Sequence, residues 1–285
     1  MGALDGKIAV VTGASRGVGE YISVRFGAEG ATVVCTARTV EPGSSSEPGS
    51  LRETVARIEQ LGGKAAAVRC DVADPASRAA MVAEVLERFG RIDILVNNAA
   101  ADSYGIPFDQ QTDAQWNYVF EMNVRAPFDL IRRVVSGMRA RGQGWVLNIS
   151  SRTSDLPAGP PYSQYDRGSG VLVYGTSKAA LNRLTAGLAA ELDGTGVAVN
   201  AMMPTSVVWT PGVARLGMAQ YRNSPLWSEE PAEAMAECAL ALCTGDPNVM
   251  TGLVVRSTEY LELIGRTIRT LDGRSELGEW KPVVE

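Results

Sequence analysis

The sequence predicts an α/β protein with a doubly wound parallel sheet of about seven strands and helices on both faces. Short runs of almost continuously apolar residues alternate with longer, helix-like segments along the chain. Strands that are apolar on both sides are typical of buried parallel sheets, and right-handed helical crossovers between them produce the doubly wound arrangement. A glycine-rich turn directly after the first apolar run is a further feature of such sheets.

The predicted elements follow one another in a regular order. "KIAVVT" leads to a helix near 17–29, "ATVVCTA" to a helix near 50–61, and "KAAAVRC" to a helix near 75–89. "IDILVN" precedes helical segments within 111–140, and "GWVLNIS" precedes a helix that begins near Tyr174. "GVAVNAM" comes next, followed by a helix near 231–243 and by "GLVVRS". We expect one domain over residues 1–270 and a C-terminal tail, 271–285, that forms an arm or is disordered.

The overall composition limits the classes of function. Hydrophobic residues make up 45% and charged residues 21% of the 285 positions, as in ordinary globular proteins. The net charge of −5 argues against a nucleic-acid partner, because such proteins normally present a basic face. We expect no membrane partner, because no apolar run reaches about 18 residues and the N-terminus lacks the pattern of a signal peptide.

The cysteine and histidine content predicts a cytoplasmic protein without a metal site. The chain has four cysteines, no CxxC pair and no histidine, so the side chains that usually hold zinc are largely missing. The cysteines lie in apolar strand-like or helical segments, where buried and reduced thiols are expected.

The segment "VVTGASRGVGE" has the features of a phosphate-binding turn. Gly13, Gly17 and Gly19 come directly after the first predicted strand and at the start of a helix. Glycines allow a tight turn there and let main-chain N–H groups approach a pyrophosphate, while the helix N-terminus favours its negative charge. The spacing is G-x-x-x-G-x-G rather than the more common G-x-G-x-x-G. The alternative is a glycine-rich turn that binds no ligand.

The segment "VYGTSK" places Tyr174 and Lys178 four residues apart, on one face of a predicted helix. A chain without histidine lacks the usual group for moving protons near neutral pH. A lysine ammonium group beside a phenol stabilises the phenolate, so we expect the pKa of the tyrosine to be lowered from about 10. Tyr174 can then serve as a general acid or base.

The glycine-rich turn and six later motifs, in the same order, resemble those of the single-domain short-chain dehydrogenase/reductase family. The later motifs are "CDVAD" (70–74), "LVNNAA" (95–100), "MNVRAPF" (122–128), "VLNISS" (146–151), "YGTSKAAL" (174–181) and "VAVNAMMPT" (197–205). The resemblance covers roughly residues 5–256 and implies a Rossmann fold that binds a nicotinamide dinucleotide. By this resemblance, the cofactor-binding residues are Gly13, Ser15, Arg16, Gly17, Val18, Gly19, Arg38, Asp71, Val72, Asn98, Ala99, Ala100, Tyr174, Lys178, Pro204 and Thr205.

The resemblance also implies four catalytic residues: Asn123, Ser151, Tyr174 and Lys178. Ser151 would donate a hydrogen bond to the substrate oxygen and stabilise the charge that develops there during hydride transfer. Ser150 is the alternative, because neighbouring residues on a strand point to opposite faces and only one of them can serve. Asn123 would hold a water in a relay from Lys178 to solvent, or else it caps a helix or makes a structural hydrogen bond.

The end of the second predicted strand favours NADP(H) over NAD(H). An enzyme that prefers NAD usually carries an acidic residue there, which binds the ribose 2′-hydroxyl. Here Ala37 and Arg38 occupy the position, so we expect no acidic group that would repel a 2′-phosphate. Arg38 can bind that phosphate through its guanidinium group, and Arg16 adds a second cation on the same side. Alternatively, one of the two arginines is only a solvated surface charge.

The segment between Ser151 and Tyr174 departs from the family pattern. The two residues are 23 positions apart, roughly ten more than is usual. We expect 152–170 to form part of the substrate-pocket wall, with Tyr162 and Tyr165 available for stacking or hydrogen bonding. A surface loop or a subunit contact is the alternative.

Other departures concern the remaining pocket walls. Ala100 and Thr205 replace glycines of the family pattern, and 254–265 continues as an apolar helical pattern that can pack on a neighbouring subunit. The candidates for contact with the nicotinamide carboxamide are Thr205, Ser206 and Thr210. The candidates for an apolar substrate pocket are Tyr162, Trp209, Met218 and Trp227.

These expectations favour an NADP(H)-dependent oxidoreductase that transfers a hydride between the nicotinamide and a small carbonyl or alcohol substrate. A non-redox enzyme of the same fold, such as an epimerase or dehydratase, is one alternative, and net oxidation of NADPH by a carbonyl substrate separates the two. A nucleotide-binding regulator without turnover is another, but the complete set of Tyr174, Lys178 and Ser151 counts against it. The resemblance also implies assembly into a homodimer or homotetramer.

Overall fold

The computed structural model of the chain describes residues 2–216 and 228–278. The β-strands are β1 (Ile8–Thr12), β2 (Thr32–Ala37), β3 (Lys64–Arg69), β4 (Ile94–Asn97), β5 (Gly144–Ile149), β6 (Val197–Met203), β7 (Val207–Val208), β8 (Glu229–Glu230) and β9 (Val254–Arg256). The α-helices are α1 (Gly17–Ala28), α2 (Leu51–Gln60), α3 (Pro75–Phe89), α4 (Asp113–Phe120), α5 (Ala126–Ala140), α6 (Gln164–Gly168), α7 (Leu172–Glu191), α8 (Pro211–Arg215), α9 (Ala232–Thr244) and α10 (Ser257–Leu263). Short 3₁₀ helices span Phe108–Gln110 and Arg152–Ser154, and a π-helix spans Glu121–Arg125.

Seven strands within the described residues form one parallel sheet in the order β3-β2-β1-β4-β5-β6-β9. The order reverses at β1: the chain moves outward through β2 and β3, and β4 then pairs with the other side of β1. In doubly wound sheets, ligands bind in the crevice at the C-terminal ends of the strands beside such a reversal. The predicted fold class is therefore confirmed, and the sheet order places a binding crevice after β1 and β4.

Helices cover both faces of the sheet, as β1 shows most clearly. Ala9 and Val11 belong to one core, which includes residues of α1, α2 and α9. Val10, between them, belongs to a second core with residues of α3 and α5. All three side chains are fully buried. Burial on both faces explains why the strand is a continuous apolar run.

The predicted helices are present with small shifts at their ends. α3 begins at Pro75 after Asp74, whose side chain accepts a hydrogen bond of 2.9 Å from the main-chain N–H of Ala76. The helix predicted to begin near Tyr174 begins at Leu172. The helical stretch predicted within 111–140 is divided into α4, the π-helix and α5. Among the described residues, no helix is both long and apolar enough to cross a bilayer.

The C-terminal segment packs against the core of its own chain. Tyr260 and Leu261 in α10 are buried, whereas Leu263 is 81% exposed. The sequence predicts that the apolar residues of this helix pack on a neighbouring subunit. Two of them, Tyr260 and Leu261, instead pack against the core of their own chain. Leu271 is also buried, and Arg269 pairs with Glu276 in an antiparallel bridge. The predicted domain boundary after residue 270 therefore falls within a folded turn.

Candidate active site

A cavity of about 1240 Å³ lies at the C-terminal ends of β1, β4, β5 and β6. Its volume exceeds the range of about 300–1,000 Å³ that is typical of small-ligand pockets, so a dinucleotide and a substrate can share it. The predicted site residues that line it are Gly13, Ser15, Arg16, Gly17, Val18, Arg38, Asp71, Val72, Asn98, Ala99, Ala100, Ser151, Tyr174, Lys178 and Pro204. Gly19, Asn123 and Thr205 do not line the cavity.

The glycine-rich turn between β1 and α1 packs tightly against the segment after β4. Gly13 and Gly17 have φ angles of +66° and +59°, a conformation that side chains disfavour. A Cβ atom on Gly19 would lie 2.5 Å from the carbonyl oxygen of Gly13, so glycine at this position allows the turn to pack closely. The side-chain amide of Asn98 donates hydrogen bonds to the carbonyl oxygens of Thr12 at 2.8 Å and Gly13 at 3.2 Å. Asn98 thus holds the turn as well as lining the cavity.

Asp71 and Val72 follow β3 and line another part of the same cavity. One carboxylate oxygen of Asp71 accepts a hydrogen bond of 3.0 Å from the main-chain N–H of Ala73. The main-chain N–H of Asp71 donates to the Ser77 hydroxyl at 3.0 Å. The carboxylate is therefore fixed through one oxygen, and the other is available to a ligand.

Arg38 and Arg16 both line the cavity, but their surroundings differ. Arg38 is exposed and makes no ion pair with the residues that the structure describes. Arg16 donates to the Glu47 carboxylate at 2.7 Å and to the carbonyl oxygen of Gly49 at 3.0 Å. The expectation that no acidic group lies at this end of the cavity is wrong, because the loop between β2 and α2 brings Glu47 there. Sequence reasoning missed Glu47, since a loop rich in Pro, Gly and Ser has no periodicity from which its path can be predicted.

Tyr174 and Lys178 extend from α7 into the cavity. The Nζ atom of Lys178 lies 5.7 Å from the centre of the Tyr174 ring and donates a hydrogen bond of 2.8 Å to the carbonyl oxygen of Ile149. Burial lowers the pKa of Lys178 to about 8. Burial also raises the pKa of Tyr174 to about 12, although a hydrogen bond with Ser151 acts in the opposite direction. The expectation that the pKa of Tyr174 is lowered is therefore wrong for the chain without a ligand. Burial disfavours the charged phenolate, and this effect on the pKa is larger than that of the hydrogen bond with Ser151.

Ser151 and Ser150 occupy different environments after β5. The Ser151 hydroxyl oxygen accepts hydrogen bonds from the Thr153 hydroxyl at 3.0 Å and from its main-chain N–H at 3.3 Å, and the side chain also interacts with the Tyr174 phenol. Ser150 is 4% exposed, and within the described part of the chain its hydroxyl has no hydrogen-bond partner. Because both hydrogen bonds from Thr153 are accepted by the Ser151 oxygen, the O–H of Ser151 is the donor towards the Tyr174 phenol, and it can turn to a substrate oxygen that lies between the two side chains. This arrangement favours Ser151 over Ser150.

Asn123 lies in the π-helix between α4 and α5 and is 1% exposed. Its side-chain amide donates to the carbonyl oxygen of Ala101 at 2.8 Å and to the Ser177 hydroxyl at 2.9 Å, and its oxygen accepts from the N–H of Ala101 at 2.9 Å. Ser177 belongs to α7, the helix of Tyr174. These contacts agree with the alternative in which Asn123 makes structural hydrogen bonds. Its side chain joins the segment after β4 to the helix that carries Tyr174.

The inserted segment 152–170 contributes a wall of the cavity near Tyr174. Leu156, Tyr165 and Asp166 line the cavity, whereas Tyr162 does not. The Tyr165 phenol interacts with that of Tyr104, whose ring lies 5.3 Å from the Tyr174 ring, centre to centre. Burial raises the pKa of Tyr104 well above its ordinary value, so it stays protonated. Tyr104, which sequence reasoning missed, therefore connects the insertion to Tyr174.

The turn after β6 is held by a buried carboxylate. Glu230 is 4% exposed and accepts hydrogen bonds from the main-chain N–H groups of Thr205 at 3.0 Å and Ser206 at 3.2 Å. The Ser257 hydroxyl donates to its other oxygen at 2.6 Å. Burial raises the pKa of Glu230 to about 7. On the opposite side of the turn, Arg152 donates to the carbonyl oxygen of Thr205 at 2.9 Å.

The residues expected to contact the nicotinamide carboxamide or an apolar substrate are only partly at the cavity. Ser206 and Thr210 line it, and Thr205 does not. Trp209 does not line it either. Met218 and Trp227 lie outside the described residues.

Comparisons with known proteins identify the family to which this fold belongs. The family model described as short chain dehydrogenase matches residues 7–220. The chain is 32% identical over 284 residues to oxidoreductase UcpA of Escherichia coli (strain K12), with 98% of each chain covered. It is 37% identical over 207 residues to a short chain dehydrogenase of Pseudocercospora fijiensis (strain CIRAD86), over 72% of this chain and 61% of that protein. Among solved structures, a metagenomic short-chain oxidoreductase in complex with NADP is similar, with a TM-score of 0.71 and 31% identity over 89% of this chain and 97% of that one.

Proposed function

The chain belongs to the short chain dehydrogenase family, and we propose that it is an NADP(H)-dependent oxidoreductase that interconverts a small carbonyl compound and its alcohol. Membership of the family makes it an oxidoreductase of CH–OH and C=O groups. The observation that carries the proposal is the convergence of Tyr174, Lys178 and Ser151 on a cavity that also contains a glycine-rich phosphate turn. The cofactor preference, the proton donor and the substrate are the proposed parts.

The residues of the cavity fit a nicotinamide dinucleotide with a 2′-phosphate. Gly13 and Gly17 keep the turn free of side chains at the N-terminus of α1, where phosphate oxygens are favoured. Arg38 offers a guanidinium group that makes no ion pair with the described residues, and Asp71 offers a carboxylate oxygen to the adenosine. When bound, the cofactor supplies the hydride for reduction or accepts it in oxidation.

Tyr174 transfers the proton in the proposed mechanism. In reduction, its phenol donates the proton to the substrate oxygen, and in oxidation the phenolate takes the proton back. The pKa of about 12 keeps Tyr174 protonated near neutral pH, which suits it to act as an acid. Ser151 donates a hydrogen bond to the same substrate oxygen, held in position by the two hydrogen bonds from Thr153.

Lys178 supports this proton transfer by its charge. With a pKa of about 8, it is mainly an ammonium group at neutral pH. That charge, 5.7 Å from the Tyr174 ring, stabilises the phenolate that remains once the phenol has given up its proton. The hydrogen bond to Ile149 fixes the ammonium group without neutralising it.

The inserted segment is proposed to shape the substrate end of the cavity. Tyr165 and Leu156 line it, and Tyr104 connects Tyr165 to the ring of Tyr174. The alternative role of the segment as a subunit contact is compatible with its exposure, since Leu156 is 91% exposed. A wall of aromatic and aliphatic side chains favours substrates with an apolar part next to the reacting carbonyl.

A panel of aldehydes, ketones and alcohols tests the proposed reaction. Purified protein is mixed with NADPH and each carbonyl compound, and the loss of NADPH absorbance is compared with the amount of alcohol formed. We expect equal amounts of NADPH consumed and alcohol produced for at least one substrate, with a lower rate for NADH. Product formation without net consumption of NADPH would instead support an epimerase or dehydratase. Binding without any turnover would support a nucleotide-binding regulator.

Exposed aromatic side chains and the state of the cysteines bear on the proposed assembly and location. Trp116 on α4 and Phe128 on α5 are 42% and 38% exposed and do not line the cavity, which is consistent with a homodimer or homotetramer that covers these aromatic rings. Light scattering during size-exclusion chromatography measures the assembly, and a monomer at micromolar concentration would contradict it. The proposed location is the cytoplasm, and the four buried, unpaired cysteines support it, because thiols stay reduced there.

A further inference from the structure

Glu47 forms the middle of a line of ion pairs among residues that line the cavity. Its carboxylate lies 2.7 Å from the Arg16 guanidinium and 3.4 Å from that of Arg215. Arg215 in turn pairs with Asp102 at 2.6 Å. These four residues come from the glycine-rich turn, the loop between β2 and α2, helix α8 and the segment after β4. The line thus joins the proposed phosphate-binding end of the cavity to the substrate end.

Arg16 is already bonded on two of its three nitrogen atoms. Nη1 donates to Glu47, and Nη2 donates to the carbonyl oxygen of Gly49 at 3.0 Å and contacts the Thr39 hydroxyl at 3.4 Å. The Nε atom is buried and has no hydrogen-bond partner among the described residues. A phosphate that approaches Arg16 therefore meets a guanidinium whose charge is paired with a carboxylate.

We propose that Glu47 determines how strongly the protein selects NADP(H) over NAD(H), by competing with the 2′-phosphate for Arg16. The inference rests on the proposed nicotinamide-dependent function. Two anions cannot both lie against one guanidinium without repulsion, so the 2′-phosphate has to displace Glu47 or be bound less tightly. A ribose 2′-hydroxyl carries no charge and meets no such repulsion. Arg38, which has no carboxylate partner in the described residues, then supplies the preference for the phosphate, and Glu47 limits it.

The structure indicates that Glu47 can be changed without loss of the fold. Its side chain is 31% exposed. Without Glu47, Arg16 keeps its hydrogen bond to Gly49, and Arg215 keeps its ion pair with Asp102. Arg16 loses its carboxylate partner, but its side chain is 20% exposed, so its charge is not left fully buried, which is the usual cause of a large loss of stability when one partner of an ion pair is removed.

Glu41 provides a matched control in the same loop. Its side chain is 62% exposed and pairs with Arg52 at 3.2 Å, and it does not line the cavity. Glu41→Gln removes the same charge from the loop as Glu47→Gln but leaves the carboxylate on Arg16. A comparison of the two variants distinguishes the effect of losing the contact with Arg16 from the effect of removing one negative charge from the loop.

Isothermal titration calorimetry of the whole chain with NADP⁺ and with NAD⁺ tests the inference at low ionic strength. For Glu47→Gln, we expect the Kd for NADP⁺ to fall about tenfold and the Kd for NAD⁺ to change less than about twofold. For Glu41→Gln, we expect both values to change less than about twofold. Glu47→Ala serves as a second variant, with the same expected direction. Titration with 2′,5′-ADP and 5′-AMP repeats the comparison on the adenosine end alone.

The outcomes distinguish this inference from the proposed cofactor preference. The role of Glu47 would be overturned if Glu47→Gln left the ratio of the Kd values for NADP⁺ and NAD⁺ unchanged. It would also be overturned if Glu41→Gln changed that ratio as much as Glu47→Gln does. Weaker binding of NADP⁺ by Glu47→Gln would also overturn it, because Glu47 would then orient Arg16 for the phosphate. Tighter binding of NAD⁺ than NADP⁺ by the unmodified chain would instead reject the proposed preference, while the shift caused by Glu47→Gln would still decide the inference. No binding of either dinucleotide would reject both.

Discussion

Lys178 and Tyr174 face the same cavity from one helix, with the lysine Nζ atom 5.7 Å from the centre of the tyrosine ring. Their protonation is set mainly by burial, which lowers the pKa of Lys178 to about 8 and raises that of Tyr174 to about 12. Between these two values the phenol is still protonated but the neighbouring ammonium group is lost. The pair therefore has different charges on the two sides of pH 8.

The first prediction is a decline in carbonyl reduction as the pH rises through about 8. Below this value Lys178 is charged and stabilises the phenolate formed when Tyr174 gives up its proton. Above it the lysine is neutral, although Tyr174 still carries its proton, because the pKa of Tyr174 is about 12. A profile of kcat against pH at saturating NADPH and substrate measures this. Lys178→Arg keeps a positive charge at this position and should not show the decline. A profile that stays flat to pH 10 in the unmodified protein would contradict the role of Lys178.

The second prediction concerns stability and Glu230. The pKa of Glu230 is raised from 4.5 to about 7 in the folded chain, so the fold binds this proton more tightly than the unfolded chain does. The resulting stabilisation is fully present below about pH 4.5 and is lost as the pH rises through about 7. Its size is about 3 kcal/mol across that window, from the shift of the pKa. Denaturant unfolding of the unmodified protein and of Glu230→Gln measures the difference.

Glu230→Gln is expected to fold, because its amide can replace both carboxylate oxygens. Its carbonyl oxygen can accept from Thr205 and Ser206, and its NH₂ group can donate to the Ser257 hydroxyl. Relative to the unmodified protein, the variant should gain stability between pH 4.5 and pH 8, since it cannot acquire a buried charge. A constant difference in unfolding free energy over that range would show that Glu230 does not titrate there.

The third prediction is that Arg38→Asp raises the KM for NADPH about 10- to 100-fold and the KM for NADH less than about threefold. The change replaces a guanidinium that makes no ion pair with the described residues by a carboxylate that repels a 2′-phosphate. Arg52→Asp is the matched control, because Arg52 is 63% exposed and does not line the cavity. Steady-state kinetics with both cofactors measures the effect. Equal increases for NADPH and NADH would reject the role of Arg38 in phosphate binding.

The fourth prediction tests the inserted segment as a pocket wall. Tyr165 and Tyr162 belong to the same insertion and are 42% and 49% exposed, but of the two only Tyr165 lines the cavity and interacts with Tyr104. Tyr165→Ala should raise the KM for the carbonyl substrate about two- to tenfold, the effect of losing one aromatic contact. Tyr162→Ala should leave it unchanged. If both variants kept the KM of the unmodified protein but changed its oligomeric state, the segment would instead be a subunit contact.

The fold and the core of the site could be predicted from the sequence because they depend on local patterns. Val10 and its neighbours in β1 are apolar on both faces, which identifies a buried parallel strand. The positions of Tyr174 and Lys178 follow from the period of a helix. Gly13 and Gly17 were predicted for their turn, and their φ angles require glycine.

The parts that could not be predicted depend on contacts between distant segments. Glu47 reaches Arg16 across 31 positions, and Glu230 reaches Thr205 across 25, through irregular loops without periodicity. The raised pKa of Tyr174 was not anticipated, because the degree of burial cannot be read from the spacing of Tyr174 and Lys178. Tyr104 was missed for the same reason: its contact with Tyr174 crosses from the segment after β4 to α7.

The most direct test of the central claim is the turnover of Tyr174→Phe with NADPH and a carbonyl substrate of the unmodified protein. The variant keeps the ring that packs against Tyr104 and loses only the phenolic O–H. We predict that kcat falls by about 10²- to 10⁴-fold, while the Kd for NADP⁺ measured by calorimetry changes by less than about tenfold, the effect of one lost hydrogen bond. Turnover at the full rate by Tyr174→Phe would contradict the assignment of Tyr174 as the proton donor.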